Sequence, residues 1–294
     1  MATGCKLHYL ESRIAHPVNL ASIGKHHESG TGAGTAMKPG CTFPPELIAA
    51  LRHARHVVVL TGAGISAESG IPTFRDALTG LWMRFDAKDL ATPGAFCRDE
   101  ALVWGWYEWR RMQALRAEPN PAHLAIAALE KQLPRLTVVT QNVDDLHERA
   151  GSSEVLHLHG SLHSPRCFVC GRPHGFPPGI PDEPEGGRRL CPPRCSDCGG
   201  AIRPGVVWFG EALPARELKQ ALAAASDCDV LLAIGSSGIV QPAASLPSLA
   251  RRAGATVVQV NTMSTGLDGE CSCLLRGPAG AVMPALLQAA FAGA

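Results

Sequence analysis

Four short apolar runs stand out along the chain: Val57–Leu60, Leu136–Val139, Val230–Ile234 and Thr256–Val260. They are rich in β-branched residues and too short for stable helices, so each reads as a buried strand. Stretches rich in Ala and Leu, with helix-like character, separate them. A helix over Pro44–Leu51 leads into the first run, because Pro44-Pro45-Glu46 suits a first helical turn. This alternation predicts an α/β fold, a Rossmann-like parallel sheet with helices on both faces. Ligands of such sheets bind beyond the carboxyl ends of the strands. The first places to look for function are therefore TGAGIS (61–66), TQNVDD (140–145), GSSG (235–238) and NTMS (261–264).

The texture breaks in two places. Residues 1–43 mix Gly, Ser, Thr, His and Lys without periodicity, which predicts a flexible N-terminal leader, with Met37 inside it as an alternative start. Between about 163 and 204, Pro, Gly, Arg and Cys replace the strand/helix alternation, so a small module is inserted in a catalytic domain spanning 44–294.

Composition narrows the classes. With 46% hydrophobic residues, 294 residues bury a substantial core, and a formal charge of +1 sets up no global field toward nucleic acid or membrane. No apolar run reaches the roughly 18 residues of a membrane span, and the N-terminus lacks a secretion-signal pattern, so a cytoplasmic location is expected. Four of the 11 cysteines form two C-x-x-C units, Cys167/Cys170 and Cys195/Cys198, either side of a Pro/Gly-rich loop. That spacing presents four thiolates to one Zn²⁺, and a closed four-cysteine site is structural because it leaves no position for water. Cys191 lies close enough in sequence to compete as a ligand. Arg166, Arg172, Arg188, Arg189 and Arg194 lend some support to a nucleic-acid-binding ribbon, but few aromatics accompany them and a solvated face is preferred.

After the first strand, Gly62-Ala63-Gly64-Ile65-Ser66-Ala67 matches G-x-G-x-x-G/A, whose small residues let the backbone approach a pyrophosphate at a helix N-terminus. The acidic residue that a ribose-binding dehydrogenase places about 20 residues on is not found, which weakens that reading. His157, His159 and His163 are all available in LHLHGSLH, with the first two expected on one side of an extended segment; spacing does not choose among them. Tyr107 and Arg110, at i,i+3 in a tryptophan-rich helix, share a face and suit a terminal carboxylate.

The stretch GAGISAESGIPTFRD (62–76) closely resembles the sirtuin cofactor-binding loop. The resemblance continues in family order through TQNVD (140–144), LHGSL (158–162), RPGVVWFGE (203–211), GSS (235–237) and VNT (260–262), covering about residues 44–290. One departure is Ser236, where the family usually has threonine; the hydroxyl is kept. The resemblance implies an NAD-dependent protein-lysine deacylase, with NAD⁺ as cofactor and one structural zinc ion. It implies that Gly62, Ala63, Gly64, Ile65 and Ser66, then Thr73, Phe74 and Arg75, then Gln141, Asn142 and Asp144 contact the cofactor. Gly235, Ser236, Ser237, Asn261 and Thr262 complete that set. In sirtuins the acyl oxygen displaces nicotinamide from the ribose and a histidine deprotonates a ribose hydroxyl, a role that falls to His159; imidazole titrates near neutrality, at about 6.5. Val207, Trp208 and Phe209 would bind an acylated lysine peptide by strand addition. The Tyr107/Arg110 pair, with the small Ala77, resembles the class III branch, which removes succinyl, malonyl or glutaryl groups. The expected partners are acylated lysines of proteins, with neither membrane nor direct nucleic-acid binding. Protein ADP-ribosyl transfer and a non-catalytic NAD or ADP-ribose sensor are the competing functions.

Overall fold

Each of the four apolar runs is a strand, and all four lie side by side in one sheet. A computed structural model describes residues 43–73, 85–177, 179–184 and 186–292. Apart from Phe43 the expected leader lies outside the described residues, as do Phe74, Arg75 and Ala77. The strands are β1 (Val57–Thr61), β2 (Leu136–Thr140), β3 (Val155–His157), β4 (Gly160–Cys167), β5 (Ile202–Val206), β6 (Val230–Ile234), β7 (Thr256–Asn261) and β8 (Cys273–Arg276). The main sheet runs β3-β2-β1-β6-β7-β8, every pair parallel, while β4 and β5 form a separate antiparallel pair.

Helices cover both faces, so β1, β2 and β6 are buried at every position. Val57 and Val59 pack with α1 (Pro45–His53), α5 (Pro121–Glu130) and α9 (Ala279–Phe291), through residues such as Leu51, Ile126 and Leu286. Val58 and Leu60 face the other way, onto α7 (Ala215–Asp227) and α8 (Leu246–Arg252), through Ala221, Ala225 and Leu246. A third apolar cluster joins α3 (Pro93–Arg98), α4 (Glu100–Arg116) and the β4/β5 pair. Edge strands β3 and β8 carry no strong apolar run; ladder bonds such as Val138 N–H to Glu154 O and Leu158 N–H to Thr140 O make β3 extended.

Two expectations need correction. The chain leaves β1 in two 3-10 turns, Ala63–Ile65 and Ala67–Ser69, instead of entering an α-helix directly, and Gly70 ends them in the left-handed region at φ 81°. The amides of Gly62, Gly64, Ile65 and Ser66 are all bonded inside the protein, so they do not form a helix-end anion site. His157 and His159 are also not in one extended segment. His157 ends β3, His159 lies in the following turn, and Gly160 at φ 72° starts β4 in a new direction.

The sheet order changes direction at β1, whose neighbours are β2 and β6, and the carboxyl ends beside such a switch point are where ligands of open parallel sheets bind. The loops after β1 and β6 cross there backbone to backbone. A Cβ on Gly62 would sit 2.8 Å from Ser236 Cα and 2.9 Å from Gly235 O. Gly235 has φ 61°, and a Cβ there would overlap the backbone nitrogen of Ile65. Gly235→Ala is therefore expected to cost about 2 kcal/mol or more through strain and overlap. Thermal unfolding of the variant should show a clearly lower midpoint; an unchanged midpoint would contradict the crossing geometry.

Candidate active site and zinc module

The turn after β2 supplies the centre of the site. Its Gln141 carbonyl lies 2.9 Å from His159 Nδ1, and the Asn142 carbonyl lies 3.2 Å from His157 Nδ1. A carbonyl only accepts, so both rings carry their proton on Nδ1. They then differ at Nε2. His157 Nε2 meets Glu148 Oε1 at 2.6 Å; burial opposes a charge on this ring, but Glu148 outweighs burial and the pKa is raised. His157 is thus a paired, structural histidine. His159 has its pKa lowered by burial, partly offset by the Gln141 bond, so it stays neutral with a lone pair at Nε2. His163 Nε2 lies 3.5 Å from Asp145 Oδ1. Geometry separates three histidines that spacing left equivalent.

Around them runs a closed circuit of contacts. Asn142 Nδ2 donates to Ser66 Oγ (3.0 Å), and Ser66 Oγ donates to Asp144 Oδ2 (3.1 Å). Asp144 Oδ1 accepts the Leu146 amide at 3.2 Å, so the carboxylate also caps its own turn; burial raises its pKa against these hydrogen bonds. Gln141 Nε2 donates to Ser236 Oγ (3.0 Å), and Asn261 Nδ2 donates to Ser236 O (3.1 Å). These bonds tie the ends of β2, β6 and β7 together. Ser237 is half-buried and Thr262 exposed beside them, while Thr73 is half-buried past the 3-10 turns.

On the opposite wall, Val207 N–H donates to His159 O at 2.8 Å. The next residue, Trp208, is buried and its Nε1 donates to the Tyr107 hydroxyl at 3.1 Å. Burial pushes the Tyr107 phenol up to about 12, so it stays neutral and keeps its own proton to donate. The Arg110 guanidinium lies over the rings of Trp106 (5.1 Å) and Tyr107 (5.8 Å), and burial lowers its pKa while Tyr107 and Asp144 raise it. Arg203 stacks 3.5 Å over Trp208 and pairs with Glu211, which also accepts the Trp208 amide at 2.8 Å. Residues 207–211 form a turn, with the Phe209 amide bonded to Ala91 O and its side chain 48% exposed. The Val207 and Phe209 amides are thus already used within the chain.

Cys167, Cys170, Cys195 and Cys198 lie with all four Sγ atoms within 4.8 Å of one another, and Cys191 is outside this cluster. The Cys167–Cys198 and Cys170–Cys195 sulfurs are 3.5 and 3.8 Å apart. A tetrahedron with Zn–S bonds of about 2.3 Å has edges of about 3.8 Å, so the donor set fits one zinc ion. Four of the module's arginines meet carboxylates: Arg172 with Asp197 (2.6 Å), Arg188 with Glu183 (2.9 Å), Arg189 with Asp99 (2.6 Å) and Arg194 with Glu100 (2.8 Å). The last two, with Leu190 N–H to Ala101 O, fasten the module to α4 and its N-cap. Phe176 stacks on Trp104 at 6.1 Å, and Gly105 lets the Arg188 carbonyl approach where a Cβ would overlap it.

Residues 62–242 match the model of the Sir2 family. The chain belongs to the sirtuin (Sir2) family. It is 65% identical over 247 residues to the NAD-dependent protein deacylase of Methylococcus capsulatus, covering 84% of this chain and 97% of that protein. It is 60% identical over 245 residues to NAD-dependent protein deacylase 1 of Pseudomonas aeruginosa, covering 83% and 97%. Among solved structures, a Sir2 homolog–NAD complex is similar at a TM-score of 0.75 and 43% identity, covering 86% of this chain and 95% of that one. A Sir2 protein bound to acetylated peptide is similar at 0.71 and 29%, covering 83% and 96%.

Behind this sirtuin site lie residues that the sequence reading passed over. Asn120 donates to Ile65 O (2.7 Å) and Ser69 Oγ (3.0 Å) while capping α5, and His123 Nδ1 accepts the Asn120 amide. His123 packs edge-on to His147, with ring centroids 5.0 Å apart. The available signal was weak: a histidine three residues after an Asn-Pro helix start, and another just after the TQNVDD turn.

Two outcomes are expected. Metal analysis should give one zinc per chain, lost in Cys195→Ala with a lower unfolding midpoint and retained in Cys191→Ala. Burial lowers His123 to about 4 and His147, chiefly for the same reason, to about 3. The unfolded chain takes up these protons below about 6.5 and the folded one does not, so stability is present above pH 6.5 and lost as pH falls toward 4 and 3. Urea unfolding across this range should show that slope, and His123→Gln should make it shallower.

Proposed function

We propose that the chain is an NAD-dependent protein-lysine deacylase acting on acetyl and acidic acyl groups, with release of nicotinamide and O-acyl-ADP-ribose. The observation that carries this reading is His159, neutral, fixed by Gln141 O at Nδ1, and neighboured by the polar side chains at the sheet's switch point. The named activities of the relatives support it, as does the acetylated peptide held by one similar structure. NAD supplies, when bound, a ribose carbon with nicotinamide as its leaving group and the hydroxyls that receive the acyl group. The polar side chains of Ser66, Gln141, Asn142, Asp144, Ser236 and Asn261 suit hydroxyls and a carboxamide, because together they offer both donors and acceptors.

The protein's own part is positioning and proton transfer. His159 takes a hydroxyl proton at Nε2 and returns it later, since its Nδ1 proton is held by Gln141. Trp208 and Tyr107 wall the acyl end, and the neutral Tyr107 hydroxyl with the Arg110 fork suits a terminal carboxylate. The exposed turn around Phe209 is where an extended lysine peptide would lie. We place the protein in the cytoplasm on the strength of its thiolate-rich module, which a reducing compartment preserves. No direct nucleic-acid partner is proposed, in keeping with the arginine–carboxylate pairs of the module. No helix among the described residues is long and apolar enough to cross a membrane.

Purified protein with NAD and matched acetyl-, succinyl- and glutaryl-lysine peptides is expected to remove acyl groups only with NAD, and His159→Ala should abolish this. Peptide mass and nicotinamide release read the result; ADP-ribose added to protein without acyl loss, or binding without turnover, would overturn the proposal. Arg110→Met is expected to lower the succinyl-to-acetyl ratio of kcat/KM about tenfold or more, the scale of a lost charge-assisted hydrogen bond. An unchanged ratio would remove Arg110 from the acyl pocket.

A further inference from the structure

The peptide unit that joins Gln141 to Asn142 is held at both edges. Its carbonyl accepts the His159 Nδ1 proton at 2.9 Å, and its N–H donates to Thr140 Oγ1 at 3.0 Å. Because a peptide unit is planar and trans, these two groups point in opposite directions and turn together. Whatever fixes the N–H therefore aims the carbonyl at His159.

Thr140 Oγ1 is fixed in turn from below. The Thr61 hydroxyl donates to it at 2.8 Å, and the two threonines are register partners at the carboxyl ends of β1 and β2. Thr61 Oγ1 also lies 3.0 Å from His147 Nε2. With the Thr61 proton committed to Thr140, His147 must donate from Nε2. Thr61, Thr140 and His147 are all at most 1% exposed, so no water competes for these bonds. His147 sits in the first turn of α6 (Leu146–Ala150), immediately beyond the 141–145 turn. The link from His147 back to Thr61 therefore closes that turn at its far end, while Thr140 holds its near end.

We propose that His147 is a positioning residue for His159, acting through Thr61, Thr140 and the Gln141–Asn142 peptide unit to hold the carbonyl that keeps the proton on His159 Nδ1. The consequence for catalysis rests on His159 being the general base; the structural relay does not. His123, packed edge-on against His147, braces the ring from the side of the cofactor loop. His157 gains from the same turn, since its Nδ1 partner is the adjacent Asn142 carbonyl.

The test uses the full chain labelled with ¹⁵N-histidine, and long-range ¹H–¹⁵N correlation reads which nitrogen of His159 is protonated. The parent is expected to show the Nδ1–H form alone. Thr140→Val keeps the side-chain shape and removes the acceptor, and Thr61→Val cuts the link to His147 in the same shape-preserving way. Both variants, with His147→Met, are expected to give mixed His159 tautomers and a fall in kcat of about tenfold or more, with KM values for NAD and peptide within about twofold. Thr140→Ser and His147→Gln should recover the parent tautomer and most of kcat, because each retains the bonding group. Folded Thr140→Val and Thr61→Val proteins with the parent tautomer and kcat would overturn the relay. A parent without deacylase turnover would overturn the functional reading, and the tautomer alone would then decide the relay.

Discussion

The structure depends most on the backbone crossing at the switch point of the sheet. Gly62 and Gly64 after β1 press against Gly235 and Ser236 after β6, at distances that no side chain permits. The hydrogen bonds Gly62 N–H to Ile234 O, Gly64 N–H to Gly235 O and Gly235 N–H to Val260 O stitch three neighbouring strand ends into one floor. Small residues in such a loop are commonly read as making room for a phosphate. In this chain they first make room for another loop, and the floor at the switch point is shaped by that contact.

On this floor the electrostatics of the site follow from burial and from which groups only accept. The carbonyls of Gln141 and Asn142 each present a lone pair to a neighbouring imidazole and set both rings to the Nδ1–H form. What then distinguishes the two histidines is Glu148, which engages one Nε2, raises the pKa of His157 against the effect of burial and makes it a paired, structural ring. His159, half-buried and drawn toward the neutral form, keeps an open lone pair at Nε2. The zinc module contributes at a distance. Its loop lies on the flank of α4 that carries Trp104 and Gly105, while Tyr107 and Arg110 of that helix line the site wall. Cluster geometry, arginine–carboxylate pairs and the Gly105 approach thus bear on the position of α4 without touching His159.

Much of this was legible in the chain itself. β1, β2, β6 and β7 could be read because strands buried on both faces are predominantly apolar and β-branched, with only a few threonines and Gln259 among them. The four zinc ligands could be read because two C-x-x-C units carry their own local geometry. The loops at the strand ends were legible as places, and the family motifs named most of their residues. By contrast β3 and β8 owe their conformation to ladder partners, and their own residues carry little signal. The 3-10 turns after Gly62 stand in place of an expected helix, and the Gly62 and Gly64 amides are bonded to Ile234 O and Gly235 O at the end of β6, pairings that no local pattern contains.

The sequence by itself determined the α/β class, the strand-end loops as the first candidates for function, the metal donor set and the membership of a motif family. These are properties of periodicity and short spacing, which survive without knowledge of neighbours. Only the tertiary structure distinguished the surroundings of His157, His159 and His163, tied Tyr107 to Trp208 across 101 positions, and joined buried His147 to the turn after β2 through two threonines on different strands. Those choices depend on which lone pair faces which proton once distant segments meet, and directional contacts between distant residues leave no local trace in a chain.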